Sequence, residues 1–160
     1  MAEAPDPDLS EGRIQPLPMS CRREHKHSWD VPHCHAHPVK VFLADDSVLI
    51  RERVAAMLGA SAMVIVGQAE TPQGSINGIL AAQPDVVVLD VQLNGGSGLQ
   101  VLRAVRQTAS AVTFVVFSNN SGPAYRKRYL KEGAVRFLDK TTEFDQLTRA
   151  VVKASQHAAH

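Results

Sequence analysis

Five short apolar runs, separated by stretches of helical periodicity, limit this chain to very few architectures. They are KVFLA (40–44), MVIVG (63–67), DVVVL (85–89), VTFVVF (112–117) and VRFL (135–138). Each is rich in β-branched residues and nearly continuous rather than alternating, the pattern of a strand covered on both faces, as in a parallel sheet. The segments between them place apolar residues on one helical face: Ile50, Val54, Met57 and Leu58 after Ser47, Leu99, Leu102 and Val105 after Gly98, and Phe144, Leu147 and Val151 near the end. Ser47 and Thr71 suit N-caps, with Pro72 at a first helical position. Gly59 and Gly133 sit where helices should stop. Five strands and five helices in strict alternation over about 120 residues imply an α/β fold, an open sheet with right-handed crossovers.

Residues 1–38 do not share this pattern. They hold six of the nine prolines, five of the seven histidines, both cysteines (Cys21 and Cys34) and the single tryptophan. Such a segment buries too little apolar surface to offset its ordering entropy, so it is expected to be a disordered extension. The domain is expected over 39–157, with a tail at 158–160. Two cysteines outside the patterned region make no disulfide framework and suit a reducing compartment. The acidic, proline-bearing start is not a signal peptide, and no apolar run approaches the ~20 residues that span a bilayer. A cytoplasmic protein is the expectation. A net charge of +1 gives no global pull toward nucleic acid.

In an open α/β sheet, ligands bind beyond the carboxyl ends of the strands. There the chain places Asp45 and Asp46 after the first run, Asp90 after the third, Ser118 after the fourth and Lys140 just after the fifth. The second run, expected at an edge, ends blandly at Gly67 and Gln68. Taken singly, these residues read as turn or cap residues. Together they place three carboxylates, a hydroxyl and an ammonium on one rim. Close carboxylates repel by up to ~4 kcal/mol per pair at an effective dielectric near 20. A hard divalent cation removes that repulsion, and magnesium prefers oxygen ligands beside a phosphate. With no His or Cys base nearby, the set points to phosphoryl chemistry.

The motifs FLADDS, VVVLDVQLNGGSGL, VVFSNN and VRFLDKT, in this order and spacing, resemble the receiver domain of bacterial two-component response regulators from about Val39 to Gln156. The resemblance implies a flavodoxin-like doubly wound sheet, order 2-1-3-4-5, with five helices. It makes Asp90 the acceptor of a phosphoryl group from a histidine kinase or a phosphotransfer protein. Asp46 is then a direct magnesium ligand, Asp45 a carboxylate acting through water, and the Gln92 carbonyl a third protein contact to the metal. Ser118 and Lys140 engage the phosphoryl oxygens. Phe137 is the aromatic that turns inward when the hydroxyl moves, and it also reads as a plain core residue. The implied function is a phospho-accepting switch that dephosphorylates itself, rather than an enzyme with a separate substrate.

Three positions depart from the family pattern. Asn94 replaces a usual proline and predicts a looser loop. Thr141 replaces the proline that commonly follows the lysine across a cis bond. Asn119 is larger than the usual residue and predicts crowding of the site. Gln92 and Asn120 stand where the family tunes hydrolysis of the phosphoaspartate. The chain ends soon after its fifth helix, so output is expected through protein contacts to an unknown target, without direct nucleic-acid contact, and a homodimer is compatible with this.

Two looser signals remain. Arg126, Lys127, Arg128 and Lys131 make a basic helix face, expected to be solvated. Cys21, His25, His27, His33, Cys34, His35 and His37 match no regular zinc module, and a disordered extension is the expected reading. Translation from Met19 would account for residues 1–18. Rival functions fare worse. A magnesium-dependent aspartyl phosphatase should carry a second Asp two residues after the first, where Gln92 stands. A flavodoxin-like cofactor carrier should show a Ser/Thr/Gly-rich loop where ADDSV stands. A receiver that signals without phosphate would not need the full acidic set.

Overall fold

The protein is described here from a computed structural model, which places residues 37–109 and 111–158. The expectations for residues 1–36 and for the end of the chain, 159–160, lie outside the described residues.

The elements run β1 (Lys40–Ala44), α1 (Val48–Gly59), β2 (Val64–Ala69), α2 (Pro72–Ala82), β3 (Val86–Leu89), β4 (Gln92–Leu93), β5 (Gly96–Ser97), α3 (Gly98–Thr108), β6 (Thr113–Ser118), α4 (Pro123–Lys131), β7 (Arg136–Asp139) and α5 (Leu147–Ala158), the last preceded by a 3-10 turn at Phe144–Gln146. Five strands form one parallel sheet in the order β2-β1-β3-β6-β7. This is the expected 2-1-3-4-5 order, with β2 at an edge.

The reason for the near-continuous apolar runs is visible in the packing. Successive strand side chains point to opposite faces, and both faces are covered. Phe42, Ala44, Val87, Leu89, Phe114 and Val116 pack with α2, α3 and α4, whereas Val41, Leu43, Val86, Val88, Val115 and Phe117 pack with α1 and α5. All four residues of the central strand β3 are buried.

The expected caps are present. Ser47 Oγ accepts from the Ile50 N–H at 3.2 Å and Thr71 Oγ1 from the Gly74 N–H at 3.0 Å. The first strand stands where the sequence places it, and the limits of the other four move by one or two residues. Met63 illustrates why: its N–H closes the turn after α1 on the Leu58 carbonyl, and only Val64 joins the ladder, on Val39. The hairpin β4–β5 was not anticipated. Its turn is Asn94-Gly95, with Gly95 at φ +87°, a dipeptide that suits tight hairpins.

Connections leave β1 toward β2 on one side and β3 toward β6 on the other. The crevice between the carboxyl ends of β1 and β3 is therefore the topological switch point, the usual ligand position in such sheets.

Candidate functional site

The sheet ladder continues into the site residues and fixes their backbone. The Asp45 N–H donates to the Ala69 carbonyl at 3.0 Å, the Asp90 N–H to Ala44 at 2.9 Å, and the Lys140 N–H to Ser118 at 3.1 Å. Three strand ends are thus in register before any side chain is considered.

The side chains then converge. Lys140 Nζ lies 2.7 Å from Asp45 Oδ2 and 2.9 Å from Asp90 Oδ2, and all three side chains are less than a tenth exposed. One oxygen from each of Asp45, Asp46 and Asp90 lies within 4.8 Å of the others. Asp46 is exposed and has no hydrogen-bond or ion-pair partner among the described residues. Asp45 also serves its local turn, accepting from the Ser47 N–H at 2.9 Å, so the turn reading and the site reading are both true of it.

Lys140 offsets part of the expected repulsion, but one ammonium among three carboxylates leaves negative charge in excess. Burial pushes the Asp45 carboxyl up, and the neighbouring Asp90 charge adds to this, against the opposing pull of Lys140 and the Ser47 N–H. For Lys140 burial alone would lower the ammonium, but the Asp45 and Asp90 carboxylates outweigh it and the net shift is upward. Lys140 therefore stays a cation, shared between two acids that each lack a full counterion. This donor set fits a hard cation such as magnesium: oxygen ligands only, with one exposed carboxylate still unpartnered.

A cleft of about 310 Å³ opens onto the site, lined by Asp46, Ser47, Ile50, Asp90, Gln92, Ser118, Asn119, Asn120 and Lys140. Ser118 is not a helix cap, since α4 begins at Pro123; its hydroxyl accepts from the Asn120 N–H at 3.1 Å. Gln92 and Asn120 meet over the rim, with Nδ2 of Asn120 3.5 Å from Oε1 of Gln92. Asp45 does not line the cleft but pairs with Lys140, which does. Phe137 alone of the predicted site residues lies outside both the cleft and the charged cluster. It is buried in the core, edge-on to Tyr129 at 5.9 Å, with the Arg126 guanidinium 5.3 Å above its ring. Tyr129 packs beside it with its hydroxyl pushed up to about 12 by burial.

The three departures have structural outcomes. Asn94 donates its backbone N–H to the Glu70 carbonyl at 2.9 Å, so the change that predicted a looser loop adds a bond for which proline has no hydrogen. Asn119 does line the cleft, but its side-chain oxygen accepts from the Thr141 hydroxyl at 3.3 Å. No cis peptide occurs among the described residues, so the Lys140–Thr141 bond is trans.

Gly98 reads in the sequence only as a helix start, yet it packs against the backbone of Asp90. A Cβ there would meet the Asp90 carbonyl oxygen at 2.1 Å. Arg51 was also missed: its guanidinium donates to the Asp45 carbonyl at 2.6 Å and to Gln68 Oε1 at 3.1 Å, tying α1 to the ends of β1 and β2. No motif spacing marks such an arginine in a single sequence.

The profile of the family described as response regulator receiver domain matches residues 41–152. The "Probable transcriptional regulatory protein NarL" of Mycobacterium tuberculosis is 33% identical over 119 residues, 74% of this chain and 55% of that protein. The DNA-binding transcriptional activator DevR/DosR of the same organism is 30% identical over 114 residues, 71% of this chain and 52% of that protein. Among solved structures, the signal receiver domain of the M. tuberculosis NarL superposes with a TM-score of 0.70 at 32% identity, covering 75% of this chain and 98% of that one. The matched region thus spans a little over half the length of these two curated relatives.

Proposed function

Because this chain belongs to the response regulator receiver domain family of two-component systems, we propose that it is a phospho-accepting switch in which Asp90 takes a phosphoryl group from a histidine kinase or a phosphotransfer protein. The observation that carries the reading is the cluster of Asp45, Asp46 and Asp90 oxygens within 4.8 Å, beside a buried ammonium. Asp46, Asp90 and the Gln92 carbonyl are the proposed magnesium ligands, with Asp45 acting through water. Magnesium, when bound, supplies the charge neutralisation that lets one more anionic group enter an already negative site.

The protein's own groups do the rest. Asp90, pinned by the Ala44 carbonyl, presents a carboxylate oxygen to phosphorus; the O–P bond forms as the donor's P–N bond breaks, and the departing imidazole takes its proton from water. Lys140, released in part from Asp90, pairs with a phosphoryl oxygen, and the Ser118 hydroxyl donates to another. Hydrolysis restores the carboxylate as water attacks phosphorus. This is chemistry on the chain's own side chain rather than turnover of a separate substrate. Movement of Ser118, with Phe137 following it, is the proposed route from the site to the α4 surface.

The unit is assigned to residues 39–157 and to the cytoplasm, and no helix among the described residues is long and apolar enough to cross a membrane. Output through a protein partner is the first reading. The relatives favour a second, control of transcription, since DevR/DosR is named as DNA-binding and the match covers only about half of it.

The test is intact mass after incubation with acetyl phosphate, with and without magnesium, for the wild type and Asp90→Asn. One added phosphoryl group that needs both magnesium and Asp90 is expected. Equal labelling of Asp90→Asn would overturn the acceptor assignment.

A further inference from the structure

The loops that carry Ser118 and Lys140 are joined by side chains to which the proposed switch assigns no part. Asp139 ends β7, one residue before the lysine. Its Oδ1 accepts from the backbone N–H groups of Thr141 at 2.7 Å and Thr142 at 3.1 Å, closing an Asx turn over the residues after Lys140. Its Oδ2 accepts from the hydroxyl of Ser121, in the loop after Ser118.

The surroundings hold this pair in place. Arg126 donates to the carbonyls of Ser121 at 3.1 Å and Phe137 at 3.0 Å, and to Glu143 Oε1 at 3.0 Å. The same Glu143 oxygen accepts from the Asp139 N–H at 2.8 Å. A proline at position 141 would lack the N–H that Asp139 uses. This chain therefore holds the residues after its lysine by hydrogen bonds rather than by a ring.

We propose that Asp139 is a positioning residue for phosphoryl transfer at Asp90, holding Lys140 and Ser118 in one frame by fixing the turn after each with opposite oxygens of a single carboxylate. The proposal rests on Asp90 being the acceptor. Asp139 bonds to neither Asp90 nor Lys140 Nζ; it acts through the backbone that aims the ammonium. Orientation is where such a residue exerts its effect, because displacements of about 1 Å in a transfer site cost up to roughly 10²-fold in rate.

The experiment measures labelling rates of the full chain with acetyl phosphate and magnesium for the wild type, Asp139→Ala, Asp139→Asn, Ser121→Ala, Lys140→Ala and the Asp139→Ala/Lys140→Ala pair. Asp139→Ala is expected to lower the rate at saturating donor by roughly 10-fold to 10²-fold. The magnesium concentration for half-stimulation should stay nearly the same, since no proposed metal ligand changes. Asp139→Asn keeps an oxygen for the two N–H groups and should retain most of the rate. On the Lys140→Ala background, Asp139→Ala should have a clearly smaller effect, because only the hold on the Ser118 side is left to lose. An equal loss on both backgrounds, or none in a labelled wild type, overturns the proposal. Ser121→Ala removes only the link between the loops; it decides the matter if Asp139→Ala does not fold, with an intermediate loss expected and an unchanged rate counting against the proposal. A wild type that takes no label at all overturns the acceptor assignment instead, and this inference with it.

Discussion

Lys140 and Asp45 form a buried ion pair, Nζ to Oδ2 2.7 Å, but the same ammonium is only 2.9 Å from Asp90. Each acid therefore has half a counterion. Burial raises Asp45 above its ordinary value of 3.8, and the ammonium it shares with Asp90 does not fully offset this, so its ionised form is disfavoured by folding. The sign follows: the stability tied to Asp45 is fully present below that ordinary value and is lost as pH rises through the raised folded value. In EDTA at pH 7, Asp45→Asn should be more stable than the wild type, and a gain of about 1 kcal/mol would appear as about 4 °C in Tm. The gap should close on acidification toward pH 4. Magnesium at ten times its Kd should stabilise the wild type by about 1.4 kcal/mol and the variant by much less. Thermal unfolding with EDTA or magnesium reads both effects; a variant less stable in EDTA would contradict the strain assigned to this acid.

Lys140→Met should behave in the opposite way. The Lys140 ammonium is raised above its ordinary 10.5, so its contribution is fully present below that value and is lost as pH rises through the folded value. Removing it leaves Asp45 and Asp90 facing each other in a buried site, and breaking such a pair costs about 3–5 kcal/mol. Urea unfolding in EDTA should show that loss at pH 7 and a smaller one on acidification, as the Asp45 carboxyl, raised by burial, protonates. A loss of equal size after acidification would mean that the lysine matters for packing rather than charge.

The residues most legible in the sequence are those whose position is forced by strand ends. Asp45 and Asp90 follow apolar runs directly and Lys140 follows its run after one residue, and a parallel sheet carries such positions to one rim whatever the details. The parallel sheet was legible for the same reason, because a strand covered on both faces needs apolar residues at every position. Gly98 and Arg51 were not legible as site residues. The role of Gly98 depends on how closely α3 approaches the Asp90 backbone, and that of Arg51 on the angle at which α1 crosses the ends of β1 and β2. Both are tertiary distances, and periodicity carries no information about them. Phe137 shows the complementary limit: a buried strand aromatic reads as core, and core is where it sits.

Gly98→Ala tests the close approach behind Asp90. The added Cβ would meet the Asp90 carbonyl oxygen at 2.1 Å and the Leu89 side chain at 3.1 Å, and the nearer obstacle is backbone that cannot swing away. Gly98 also donates its N–H to the Val91 carbonyl at 2.8 Å, so the helix start is bonded to the same segment. An alanine at a helical position ordinarily helps by about 1 kcal/mol. Here overpacking should outweigh that gain, for a net loss of about 1–3 kcal/mol. Labelling of Asp90 should fall together with Tm, and a variant as stable and as readily labelled as the wild type would show that α3 can retreat at no cost.

Gly78→Ala separates this effect from the site. Gly78 lies within α2, a helix that contributes no residue assigned to phosphoryl chemistry, and helix propensity alone predicts a gain of about 1 kcal/mol. Its position over the sheet reverses the sign. A Cβ there would meet Cε2 and Cζ of Phe42 at 2.7 Å, and that ring is among the largest fully buried side chains of the fold. On the strand side Gly67 would meet the same ring at 2.6 Å, so the phenyl group is held between two glycines and has no room to yield. A loss of about 1–3 kcal/mol in urea unfolding is expected, with magnesium-dependent labelling unchanged. Phe42→Leu in the Gly78→Ala background should recover part of the loss, because the smaller side chain relieves the contact that the extra methyl creates. If Gly78→Ala instead stabilises the protein, the Phe42 ring has space that the packing of α2 on β1 and β2 does not show.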